Sequence, residues 1–265
     1  MNASRNGLIV ELRVEAWTVK SACPIYGVWD DLLEVCGQLK NPLKIDELTD
    51  LTNAGRRGLC ALSLETRWGR YMPFSAVTTW LERDKPIQQE FEQARDIVLA
   101  NYTDVKDEVE KNIPWRVRGM ALVRKPELAT MTRWAREWRA LPWLGLESLR
   151  ESLPVALQSL LTGRAACEQE LDQQVRSRFV SKTLNSLLSI PLDPPKKRMA
   201  DPVVVAVGRH LQDLVLLNPF PALGECLTAA AVECCKPYVN RRDQDVVELV
   251  NKVRQVVVGE QQSGV

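Results

Sequence analysis

The chain contains one imidazole, His210, and it is the only side chain able to act as general base for a serine or cysteine nucleophile in a triad. It lies in GRHLQDL, a helical context with Asp213 three residues on, and is read as a structural or surface histidine. Cys226, Cys234 and Cys235 are close in sequence. Adjacent cysteines on a helix do not easily reach one tetrahedral ion, and no fourth ligand is evident. Small core residues are the better account of LTAAAVECC. Two acidic pairs, Asp104/Glu108 and Asp30/Glu34, are each one helical turn apart and could bind a metal or shuttle protons. No histidine accompanies them, and Lys106, Asp107, Glu110 and Lys111 around the first pair read as a solvated face. The phosphate-binding GxxxxGK[ST] loop, the dinucleotide GxGxxG, the GxSxG elbow and HExxH are all missing from the sequence. The expectation is a protein without catalytic residues, metal or cofactor, and not an enzyme.

Binding is the remaining chemistry, and two segments could supply it. Between Trp115 and Arg139 lie Arg116, Arg118, Arg124, Lys125, Arg133, Arg136 and Arg139, opposed only by Glu127 and Glu137. Read as a helix over Glu127–Ala140, the segment brings Arg133 and Arg136, and loosely Arg139, near one face beside Trp134 and Trp138. Guanidinium groups next to aromatic rings can hold phosphates and stack bases. The competing reading, which is favoured, packs the tryptophans inward and leaves the arginines solvated or paired with acids. The PPKKR run at Pro194–Arg198 reads first as a solvated linker.

The second segment is a stripe at Ile87, Phe91, Ala94, Val98, Tyr102, Val105 and Val109, spaced 4, 3, 4, 4, 3, 4. This is a heptad-like seam on a helix of about seven turns. Such a seam suits a helical hairpin or bundle, or another subunit. Ile87, Phe91, Val98, Tyr102, Val105 and Val109 are therefore the candidate protein-interface residues. Gln88, Gln89, Glu92, Arg95, Asp96, Lys106 and Glu110 take the opposite face, and Pro114 ends the helix.

The elements that would position these segments follow from periodicity. Leu8–Val19 alternates, with Leu8, Val10, Leu12, Val14 and Ala16 on one face and Glu11, Arg13 and Glu15 on the other. That is a half-buried strand. A lone strand is unstable, so LSLETRWGRYM over Leu62–Met72 is its predicted partner, as strand or hairpin. Gly69 permits a tight bend between two large rings, and Pro73 stops the extended segment. Val28–Leu39 and Leu48–Leu59 read as short helices broken at Asn41-Pro42. Ser75 is placed to cap a short helix through Glu82, with Pro86 opening the next. Helical pattern resumes from Glu147 to about Ile190. Pro191–Pro202 holds four prolines in twelve residues and reads as a linker. Helices are then predicted over Val203–Leu217, Ala222–Cys235 and Asp243–Val258, with a strand at Val203–Val207 as the alternative.

Composition sets the outer bounds. Apolar residues make up 45% and charged residues 26%, enough core to exclude disorder throughout. The net charge of +1 means that an electrostatic partner must be recognised by a local patch. Seven scattered cysteines without a CxxC pair read as reduced thiols in a cytoplasm. The N-terminus carries charges through its apolar stretch, unlike a signal peptide, and no apolar run is long enough to span a bilayer. All eight tryptophans fall in the first 143 residues, which suggests regions of different packing. The predicted division is 1–114, a strand plus long helical hairpin; 115–190, basic and Trp-rich; 191–202, linker; and 203–265, helical. The fold class expected is mainly α, with α+β character at the N-terminus.

GLIVELRVEAW, NAGRRGL, TRWGRYMP, the tryptophan of SAVTTW and IQQEFEQARDIVLANY occur in that order. Over roughly its first 115 residues the chain resembles an uncharacterised bacterial family, often carried on plasmids, integrative elements and phages. That family is encoded beside MoxR-type AAA+ ATPases and von Willebrand factor A-domain proteins. The motifs are aromatic and structural. The family has no established catalytic residues, so none are carried over. The resemblance implies a non-enzymatic component of an ATPase-driven assembly in a bacterium or mobile element.

These readings lead to a cytoplasmic helical adaptor or structural subunit of a multiprotein complex. Its partners would be protein subunits, with no membrane and no small-molecule substrate. The alternative is a nucleic-acid-binding subunit that uses residues 115–139.

Overall fold

The computed structural model describes residues 3, 6–15, 42–112, 132–139, 158–191 and 197–263. The described fold is mainly helical with a small sheet. In chain order it comprises β1 (Gly7–Glu15), α1 (Ile45–Ala61), β2 (Leu64–Thr66), β3 (Gly69–Pro73), α2 (Phe74–Asn112), β4 (Arg133–Arg139), α3 (Gln158–Leu187), α4 (Asp201–Leu217), α5 (Gly224–Cys235) and α6 (Asp243–Ser263). The sheet order is β2-β3-β1-β4. No described helix is long and apolar enough to cross a membrane.

The alternation that predicts the first strand is realised in β1, where Val10, Leu12 and Val14 are buried while Arg13 and Glu15 are exposed. Its predicted partner forms a hairpin. Leu64, Glu65 and Thr66 pair antiparallel with Tyr71, Arg70 and Gly69. β3 then pairs antiparallel with β1, Leu8 opposite Met72 and Val10 opposite Arg70. Gly69 takes a φ of 121°, a conformation open to glycine at little cost, and Thr66 Oγ1 donates to its carbonyl at 2.7 Å.

The chain divides into two compact units. The first comprises Met1–Glu11, Cys60–Trp80 and Trp138–Val265. Within it α4 packs on α5, α5 on α6, and α3 on α4, α6 and β2. Leu171, Val175 and Phe179 of α3, Leu211 and Leu214 of α4, Leu227 of α5 and Val246, Val250, Val253 and Val257 of α6 are almost fully buried. The i, i+3, i+4, i+7 spacing of such residues is what turns one face of each helix inward. Arg67 ties the hairpin to α3, donating to both carboxylate oxygens of Glu170 at 2.8 and 2.6 Å. Val203–Val207 is helical, inside α4, whose first turn accommodates Pro202.

The second unit comprises Leu12–Leu59 and Leu81–Glu137. Its core gathers Ile45, Leu48 and Leu59 of α1, Phe91, Val98, Tyr102 and Val109 of α2, and Trp134 of β4.

Two expectations are corrected. The segment from Glu127 to Ala140 is not helical where it is described, since Arg133–Arg139 is strand β4. Trp134 and Trp138 are four apart, a spacing that fits one helical turn and also two steps of a strand's alternation. The intervening Arg136 decides the matter, because Arg136 and Trp134 both reach the same oxygen of Asp84. The break expected near Pro86 is also absent. α2 runs unbroken for 39 residues with Pro86 inside, and Ser75 does not cap a helix but donates to the Leu216 carbonyl at 2.8 Å. An internal proline costs a helix about 3 kcal/mol. The burial of Phe91 against Trp134, just beyond it in the helix, offsets that cost.

The helix predicted over Val28–Leu39, the acidic pair Asp30/Glu34 and the linker residues 192–196 lie outside the described residues.

Candidate functional site

The basic, Trp-rich segment is only partly described. Arg116, Arg118, Arg124 and Lys125 lie outside the described residues. Of the others, Arg133 is exposed. Arg136 Nε donates to Oδ2 of Asp84 at 2.6 Å, and Asp84 is 2% exposed. The same oxygen accepts Trp134 Nε1 at 3.2 Å. Trp134 is buried, its ring 5.2 Å from that of Phe91. Arg139 Nη2 lies 2.8 Å from Glu11 Oε2. Trp138 stands edge-on to Trp80 at 5.4 Å and keeps 43% of its surface exposed. Two of the three described arginines are thus already paired with carboxylates, and one tryptophan is a core residue.

The interface stripe on α2 is mostly covered by the chain itself. Phe91, Val98, Tyr102 and Val109 are buried, while Ile87 and Val105 are half-buried. They serve as the core of the second unit. Asp104 and Glu108 are exposed, as expected of a solvated face. Among the described residues no group of three His, Cys, Asp or Glu side chains could hold a metal ion. Cys226 is half-buried and Cys234 buried; the Cβ of Cys234 lies where a side chain on Gly208 would have to go.

A concavity that the sequence pattern does not announce lies in the first unit. A groove of about 830 Å³ lies along α3 and α4, with the β2–β3 hairpin forming part of its lining. Ser189, in the turn after α3, lines it, and α3 itself contributes Arg178, Ser181, Lys182, Asn185 and Ser186. These recur at steps of three and one, which places them on a single helical face. α4 contributes Pro202, Val203, Ala206, Val207 and His210, again one face. The hairpin side supplies Cys60, Ser63, Leu64, Glu65 and Arg70. The signal was legible as a polar stripe in SRFVSKTLNSLLS. The apolar stripe of the same helix, Leu171, Val175, Phe179 and Leu187, carries the fold and dominates the sequence pattern there.

Lys182 explains how one wall of the groove is held. Its Nζ donates to the carbonyls of Cys60, Ala61 and Ser63 at 2.6, 2.7 and 3.2 Å. Cys60 and Ala61 are the last residues of α1, whose final carbonyls lack helical partners and carry the negative end of the helix dipole. Burial pushes the Lys182 ammonium down to about 8, with Arg70 adding to the effect and Asp213 and Cys60 opposing it. All three donors of the ammonium are used, so Lys182 is a positioning group and not a nucleophile. His210 is held below its ordinary value by burial and then by the Lys182 charge, while Asp213 pulls the other way.

Arg70 and Arg178 differ from Lys182. Neither guanidinium group forms an ion pair or hydrogen bond with another described residue. Glu65 stands opposite Arg70 in the strand register. The groove therefore combines apolar surface from Pro202, Val203 and Ala206 with two uncommitted guanidinium groups. Such a surface can bind a ligand that is apolar on one side and anionic on the other.

Comparison with known proteins yields no match to this chain: no family model, no curated protein and no solved structure.

Proposed function

We propose that this chain is a non-enzymatic adaptor or structural subunit of a multiprotein assembly in the cytoplasm. The observation that carries this reading is the groove along α3 and α4, in which the titratable groups serve the scaffold. Lys182 is saturated by three carbonyls, and His210 is kept below its usual value beside it. What remains available there is apolar surface and arginine, the chemistry of recognition. The resemblance of the first 115 residues to a family encoded beside MoxR-type ATPases supports an ATPase-driven bacterial or mobile-element complex as the setting.

The test is purification of the full chain from its native host at low salt, followed by light scattering and mass spectrometry. A stoichiometric protein partner is expected. A strict monomer with no stoichiometric partner overturns the reading.

A nucleic-acid-binding subunit is the second reading. It is favoured by the exposed ring of Trp138 and by exposed Arg133. Binding to single- or double-stranded DNA or RNA at about 50 mM salt that falls steeply as salt rises would support it. No binding under those conditions removes it.

A further inference from the structure

The groove has a definite chemical asymmetry. Its exposed apolar surface comes from Pro202, Val203 and Ala206 of α4, and Val203 is 46% exposed. Its charge comes from Arg70, Arg178 and Lys182 against the single carboxylate of Glu65. The Lys182 ammonium is consumed by carbonyls, but its charge remains in the groove and disfavours a cationic occupant. Arg70 and Arg178 have no partner among the described residues, and a guanidinium pairs best with a carboxylate or phosphate, two parallel N–H donors to two oxygens. No Phe, Tyr or Trp lines the groove. That argues against single-stranded nucleic acid, which takes much of its binding energy from stacking on such rings. The apolar surface would also be wasted on a phosphate backbone. From Arg178 to Ser186 the α3 wall spans about 12 Å at 1.5 Å per residue. That is the length of about two turns of a bound helix.

We propose that this groove docks an acidic, amphipathic segment of a partner protein, with its apolar residues on Pro202, Val203 and Ala206 and its carboxylates on Arg70 and Arg178. The proposal rests on the reading of the chain as a binding subunit and names the chemistry of what it binds. Charge complementarity supplies register and exclusion of basic competitors, and apolar burial supplies most of the affinity.

The test is selection from a phage library of random peptides of about twelve residues on the full-length chain. Arg178→Glu and Arg70→Ala are the comparison proteins, each checked for an unchanged melting temperature. Enriched sequences should carry net negative charge and at least two apolar residues, and Arg178→Glu should weaken the synthetic peptides about tenfold or more. Arg70→Ala should weaken them less. Enrichment of neutral or basic peptides, no enrichment, or binding indifferent to Arg178→Glu overturns the proposal. Tight oligonucleotide binding lost in Arg178→Glu overturns it in favour of nucleic acid, and a wild-type dimer that Arg178→Glu dissociates overturns it in favour of a second copy. If the purified chain retains a stoichiometric partner while any of these failures occurs, the groove assignment falls and the binding-subunit reading stands. If no partner is retained, that reading falls by itself.

Discussion

Gly55 of α1 lies directly against the ring of Trp134: a Cβ placed on Gly55 would come within 2.4 Å of ring carbon Cη2. The helix can approach the buried indole only because residue 55 has no side chain. In an open helix interior, alanine is better than glycine by about 0.5–1 kcal/mol. At this position the sign should reverse. Gly55→Ala is expected to destabilise by about 1–3 kcal/mol through overpacking. Gly58→Ala, in the same helix with nothing within 4 Å of its new Cβ, should be neutral or stabilising. Urea unfolding of the two variants side by side tests the pair, and stabilisation by Gly55→Ala would refute the contact.

Asp84 holds Trp134 and Arg136 through one oxygen, and its Oδ1 is buried without a hydrogen bond. Removing one member of a buried ion pair leaves a desolvated charge and typically costs about 3–5 kcal/mol. Asp84→Ala is expected to lose stability on that scale, and Asp84→Asn less, because an amide oxygen still accepts from the indole. Arg136→Ala should likewise appear in thermal melting and not as a selective loss of nucleic-acid binding. A fully stable Arg136→Ala that fails to bind an oligonucleotide would reverse this assignment.

Lys182→Met keeps most of the aliphatic stem and removes the ammonium. The carbonyls of Cys60, Ala61 and Ser63 then lose their shared donor. A loss of about 1–3 kcal/mol is expected, together with faster amide exchange at the C-terminal end of α1. Unchanged exchange there would show that the ammonium does not hold these carbonyls.

Cys234 is fully buried, and burial, helped by Cys235 and Glu233 against Arg241, raises its thiol from 9.0 to about 11. A group whose folded value lies above its unfolded value contributes stability that is complete below the unfolded value. That contribution disappears as pH rises through the folded one. The wild type should therefore lose about 2–3 kcal/mol relative to Cys234→Ala between pH 9 and about 11. Lys182, lowered to about 8, has the opposite sign and gains stability from that value upward, but it is common to both proteins and cancels in the difference. Parallel curves for the two proteins across this window would contradict the burial of the thiol.

The sequence by itself determined the pattern of elements wherever one period dominated. The alternation of Leu8–Glu15, the stripe from Phe91 to Val109 and the valine face of Asp243–Val258 each admit one reading, because burial demands one face of each element. Gly69 and Pro73 marked the hairpin for the same local reason. Tertiary structure decided the rest. Trp134 and Trp138 fit either period until Asp84, fifty residues away in sequence, drew Trp134 and Arg136 to one face of a strand. Pro86 argues locally for a break that the packing of Phe91 on Trp134 overrides. The groove exists only because a polar stripe on α3 comes to face α4 and the hairpin. No local propensity encodes that meeting, since it depends on which apolar faces find one another when the chain collapses.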